Sequence, residues 1–137
     1  MCRKKKYLLL IFVFALVLTL ILIYFLPTSI GKSVDPLNVH HIYVFDGNTG
    51  VGFTINDLDD ISCIVNNVKS AKLRKTKFSL IYEGYCLKVD YLNDYDENII
   101  PTFIINSKST IRRDPFFYET NDELCFDYIK DLEEKLE

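Results

Sequence analysis

The chain has 137 residues, 49% of them hydrophobic, and carries 16 basic and 19 acidic side chains for a formal charge of −3. The charge is uneven: four cations occupy residues 3–6, and the remainder holds all 19 acids against 12 bases. Such an acidic remainder is not expected to bind nucleic acid, which calls for a basic domain, and its length allows one small folded domain.

Residues 1–6 form a basic tail. Residues 7–26, YLLLIFVFALVLTLILIYFL, are twenty in number and uncharged. At about 1.5 Å per residue a helix of that length matches a hydrocarbon core of about 30 Å. It has no polar stripe with which to face water, and Tyr7 and Tyr24 stand where amphipathic rings meet headgroups. Arg3, Lys4, Lys5 and Lys6 precede the run, whereas Lys32 is the first cation after it. Cations resist translocation, so the N-terminus is expected in the cytoplasm and the C-terminal part outside the cell membrane. The apolar run exceeds the roughly 7–15 residues of a signal-peptide core, and Leu26–Ile30 lacks a small-residue cleavage site. We therefore expect an uncleaved single-pass anchor in contact with the lipid bilayer, with a cleaved signal as the alternative. Gly31-Lys32-Ser33 spells the end of a P-loop, but Leu26 replaces the motif's first glycine and no strand precedes it, so no nucleotide is expected.

Residues 27–38 read as a polar tether and 39–137 as the extracytoplasmic domain. Val39–Asp46 and Val51–Ile55 predict two strands, joined by the hairpin turn Gly47-Asn48-Thr49-Gly50. The glycines of that turn resemble a phosphate loop, but a β-branched strand follows where a helix would be required. Asn56 is expected to cap the next helix, whose apolar stripe is Leu58, Ile61, Ile64, Val65 and Val68. Asp57, Asp59 and Asp60 sit at its positive end, Lys69 and Lys72 at its negative end. Phe78, Leu80 and Tyr82 alternate, Glu83-Gly84 turns the chain, and Tyr85, Leu87, Val89 and Tyr91 alternate again, predicting a second hairpin. Pro101, within 99–106, marks an edge strand or a bulge. A strand over 110–119 is broken near Pro115. Thr120 and Glu123 form a capping box for a last helix with the stripe Cys125, Tyr128, Ile129, Leu132 and Leu136. The order β-β-α-β-β-β-β-α predicts an α+β domain: an antiparallel sheet with two helices packed on one face, preceded by the transmembrane helix.

Candidate chemistry is sparse. His40 and His41 point to opposite faces of a strand and cannot share an ion, and neither has an obvious acid or nucleophile in register. Asp94, Asp96 and Asn98 begin like a calcium loop, but Ile99 and Ile105 occupy the positions of its glycine and its glutamate, so they are weak metal candidates. Lys69, Lys72, Arg74, Lys75 and Lys77 make a cationic run without an acid. Lys72, Arg74, Lys75 and Lys77 are candidates for an acidic partner, or a basic edge that deters strand pairing. No nucleophile elbow or zinc-protease motif occurs, so no enzyme and no cofactor is expected. Cys63, Cys86 and Cys125 allow one disulfide at most; three unpaired thiols are expected, with a Cys63–Cys125 bridge as the alternative.

The strand with its Gly-rich turn, the segment TINDLDDISCIVNNVKSAKL and the following RKTKFSLIYEGYCLKVDYLN resemble a family of small Gram-positive bacterial proteins of unknown function. Its members carry an N-terminal membrane anchor or lipoprotein signal and an extracytoplasmic domain. The resemblance implies location and fold and brings no site residues. The expected role is a membrane-anchored extracytoplasmic binding domain, whether envelope sensor, immunity factor or accessory subunit, that meets another envelope protein or a cell-wall component. The alternatives are an envelope enzyme or calcium-dependent module using the turn 93–98, and a purely structural envelope protein.

Overall fold

The computed structural model describes residues 2–136. Its first element, α1 (Cys2–Phe25), is long and apolar enough to cross a membrane, and none of its apolar window is buried against the rest of the chain. An α+β domain follows, built on a seven-stranded antiparallel sheet. In chain order the strands are β1 (His41–Asp46), β2 (Gly52–Ile55), β3 (Arg74–Phe78), β4 (Leu87–Leu92), β5 (Phe103–Ile105), β6 (Thr110–Arg113) and β7 (Phe116–Glu119), and across the sheet they lie β2-β1-β4-β5-β6-β7-β3. Two helices, α2 (Leu58–Ser70) and α3 (Phe126–Leu136), cover one face.

Alternation sets the core. Ile42 and Val44 of β1, Leu87, Val89 and Tyr91 of β4, Phe103 and Ile105 of β5 and Ile111 of β6 are buried on the helix side. Ile61, Ile64, Val65 and Val68 of α2 and Ile129 and Leu132 of α3 close over them. Each such side chain contributes roughly 1.5–3 kcal/mol by leaving water. Asp57, not Asn56, caps α2, accepting hydrogen bonds from the amides of Asp59 and Asp60 at 2.9 and 3.1 Å. Leu58 therefore falls in the first turn on the outer side and stays exposed. Thr120 likewise serves a turn, accepting from the Asp122 amide, while α3 starts later, at Phe126, and leaves Leu136 exposed.

The predicted hairpin across Glu83-Gly84 does not form. Its first strand is instead the cationic stretch Arg74–Phe78, which pairs with β7 at the far edge of the sheet. By register β3 and β4 run in the same direction, and parallel strands cannot be closed by a tight turn. Residues 79–86 cross the helix-free face to reach β4. The expected strand 110–119 divides at a cis Asp114–Pro115 bond into β6 and β7, a two-residue hairpin. Pro101 precedes β5 and leaves that short strand free to pair on both sides, so β5 is interior rather than an edge.

The expected polar tether is built into the fold. Thr28 pairs antiparallel with Leu73, exchanging hydrogen bonds of 2.8 Å in both directions. Ile30 and Val34 enter the core, 2% and 5% exposed, Gly31 turns at φ +65°, and a 3₁₀ turn at Pro36–Asn38 leads into β1. Ile30 and Val34 stand four apart among polar neighbours, too thin a pattern to read as core. Four residues before Thr28, Tyr24 of α1 meets Phe116 edge-on at 5.9 Å.

Candidate functional site

Tyr43, Phe45, Lys88, Arg112 and Phe117 point away from the helices, because they alternate with the core residues of their strands. The crossing segment 79–86 lies over part of this face. Arg112 holds it down: one guanidinium nitrogen donates to the Gly84 carbonyl at 3.2 Å, another to Asp114 at 2.9 Å, and the guanidinium stands 5.8 Å from the Tyr82 ring. Tyr82 packs edge-on against Phe117 at 5.1 Å, and Tyr85 lies 6.1 Å from Phe45. Gly47 is required beneath Tyr85, since a Cβ there would run into the Tyr85 carbonyl oxygen and ring.

Between this segment, the β1–β2 turn and the β6–β7 ladder lies a cleft of about 650 Å³, lined by Lys77, Tyr82, Tyr85, Asn106, Phe117 and Glu119 among others. Lys77 Nζ stands 5.1 Å from the Phe117 ring centroid. The Asn106 Nδ2 group is buried and has no hydrogen-bond partner in the protein. An unpaired buried donor is costly. Aromatic walls, the amides of Asn48 and Asn106, one cation and the two carboxylates of Glu83 and Glu119 suit recognition of a polar chain with apolar faces.

The cationic candidates divide between two clefts: Lys72, Arg74 and Lys75 line one beside Phe25 and Pro27, and Lys77 lines the other. Lys72 follows α2 and its amide donates to Asp122 at 2.9 Å, while Arg74, Lys75 and Lys77 belong to edge strand β3. The register shifts between Lys75 and Lys77. Lys75 therefore reaches the Tyr24 and Phe116 rings, each at 5.0 Å, whereas Lys77 enters the cleft on the opposite face. The basic edge is present; of the four candidates, Lys77 alone lines the cleft beside Tyr82.

Asp94, Asp96 and Asn98 lie in an exposed turn organised by Asn93, whose side-chain oxygen accepts from the amides of Tyr95 and Glu97 at 2.9 and 3.0 Å. Asn98 bridges back to Leu92. The two carboxylates diverge onto the histidines, His40 Nδ1 to Asp94 at 2.7 Å and His41 Nε2 to Asp96 at 3.3 Å. The expectation that neither histidine has an obvious acid in register is thereby corrected. It failed because β4 pairs directly with β1 and brings its turn beside them. Among the described residues no group of three or more His, Cys, Asp or Glu converges as a metal site would require.

A charged cluster went unread. Lys130 of α3 donates to the fully buried Asp46 at 2.6 Å and to the nearly buried Glu133, which also accepts from the Thr49 hydroxyl at 3.0 Å. Burial by itself would raise the Asp46 pKa. The Lys130 hydrogen bond and charge and the Asn48 and Thr49 amides outweigh it and hold the carboxyl below its usual range. The two carboxylates in turn raise Lys130. The visible signal was Glu133 itself, four residues after Ile129 and so on the apolar stripe. Cys63, Cys86 and Cys125 are free thiols, and burial, with the neighbouring Cys63 adding to it, pushes Cys125 up to about 12.

No protein-family model, curated protein or solved structure matches the chain.

Proposed function

We propose that the protein is a single-pass, membrane-anchored binding domain that displays its helix-free sheet face outside the cell membrane. The observation that carries this reading is α1: the 22-residue stretch Lys4–Phe25 touches the folded domain only at its Tyr24–Phe25 end, and its apolar side chains are otherwise uncovered. Lipid is the environment that relieves such exposure. The basic tail before it and the single Lys32 soon after it orient the anchor with the domain on the extracytoplasmic side.

The bound partner is an extended segment of an envelope protein or a cell-wall component, received by the cleft beside Tyr82, Tyr85 and Phe117. Its aromatic walls supply contact area and the Lys77 cation supplies direction. A photo-crosslinking residue at Tyr85 in the full-length protein tests this in intact cells. A discrete adduct at Tyr85, lost when Lys77→Glu and Tyr82→Ala are introduced, supports the reading. Labelling of equal intensity from a crosslinker at Tyr95, outside the cleft, would refute it. An epitope after Glu137 that resists external protease would refute the topology.

A further inference from the structure

The turn Ser79–Tyr82 is anomalous. The Tyr82 amide donates to the Ser79 carbonyl at 2.9 Å, so Leu80 and Ile81 are its two central residues. Such positions ordinarily hold Gly, Pro, Asn or Asp. Here two large aliphatic side chains are held outward, Ile81 at 95% exposure and Leu80 at 69%, beside Phe78 at 68%. The turn is anchored from both ends. The Ser79 amide donates to the Pro115 carbonyl at 2.9 Å, the buried Ser79 hydroxyl donates to Asp114 at 2.5 Å, and Tyr82 is clamped between Phe117 and Arg112. A protein that pins two aliphatics into water needs something apolar there to meet them.

The fold says what that is. Thr28 is antiparallel to Leu73, so the chain traced back from Thr28 into α1 advances along β3 towards Phe78. Tyr24 accordingly lies beside Lys75 and Phe116, and Phe116 stacks on Phe78 at 4.9 Å. The helix thus leaves the domain at the end of the sheet that carries the 79–82 turn. Lys75 and Arg113 flank Phe116 there, cations beside aromatic rings as at a headgroup layer. The acidic turn 93–98 follows β4 at this same end of the sheet, with β5, β6 and β7 between it and β3, and the usual twist of roughly 20–25° per strand step carries it away from the 79–82 turn.

Resting on the membrane-anchor reading, we infer a second membrane contact: Leu80 and Ile81, with Phe78, insert into the outer leaflet of the bilayer that holds α1. Insertion buries apolar side chains in lipid, while the turn's own hydrogen bonds satisfy its backbone.

The chain contains no tryptophan, so each Trp variant is a clean reporter. Full-length Ile81→Trp, Tyr95→Trp and Leu16→Trp proteins are reconstituted in phosphatidylcholine–phosphatidylglycerol vesicles containing lipids brominated either high or deep on the acyl chain. We expect Ile81→Trp to emit to the blue of Tyr95→Trp and to lose intensity more to shallow than to deep bromines. Tyr95→Trp should keep its intensity, and Leu16→Trp should be quenched most by deep bromines. An unquenched Ile81→Trp alongside a quenched Leu16→Trp overturns the insertion and leaves the anchor standing. An unquenched Leu16→Trp overturns the anchor itself. Equal quenching at Ile81 and Tyr95 overturns the insertion in favour of a domain lying unspecifically on the lipid.

Discussion

At the scale of single residues, the buried charges carry the clearest consequences. Removing Lys130 by Lys130→Met leaves the Asp46 and Glu133 carboxylates without their cation, and breaking a buried pair from one side costs about 3–5 kcal/mol. Urea denaturation should show that loss, whereas Lys135→Met, on an exposed position of the same helix, should change little. The cluster also sets a pH window. Asp46 is lowered from 3.8, so its contribution is complete above pH 3.8 and disappears as pH falls through its folded value. Lys130 is raised from 10.5, so its contribution is complete below pH 10.5 and is lost as pH rises through its folded value. Stability measured against pH should therefore fall on the acid side, and Asp46→Asn should flatten that limb while lowering the plateau. Gly47→Ala forces a methyl into the Tyr85 backbone and should cost roughly 1–3 kcal/mol, displacing the segment that walls the cleft. Gly52→Ala meets the end of the Tyr43 side chain, which can swing aside, and should be milder.

At the scale of elements, the segment between anchor and sheet is the most exposed to test. A fragment of residues 33–137 lacks Thr28 and Ile30 and so loses the bridge to Leu73 and a fully packed side chain. Compared with a fragment of residues 27–137 it should be less stable by about 2–5 kcal/mol, read as a lower Tm and urea midpoint. Periodicity made α2, the β1–β2 hairpin and the β4 alternation legible, because each is a local pattern facing one core. The strand RKTKF was not legible as β3: its side chains are charged on both faces, which only an edge tolerates, and its partner β7 lies some forty residues away in the chain. The cleft escaped for the same reason. Lys77, Tyr82 and Phe117 approach only because a crossing segment is drawn over strands that are not its sequence neighbours. The cationic run was visible as a run, but a register shift within β3 sends Lys75 and Lys77 to opposite faces.

At the scale of the whole molecule, the thiols report topology. Cys63 is exposed on α2, Cys86 is half-buried and Cys125 is buried with a raised pKa, so Cys63 is the readiest target for a thiol reagent. With Cys2→Ser in place to silence the thiol before α1, a membrane-impermeant maleimide applied to intact cells should label the protein, and a further Cys63→Ser should remove most of that label; labelling only after lysis would reverse the assigned sides. The passage from α1 into the sheet then acquires mechanical meaning. With Thr28 laddered to Leu73 and Tyr24 seated on Phe116, there is no slack between α1 and the fold. A domain on a loose leash sweeps a wide volume and can search for a distant ligand. With α1 as the proposed anchor, this one cannot: its reach is about its own radius, and a ligand of the proposed cleft would have to come to the membrane to be caught.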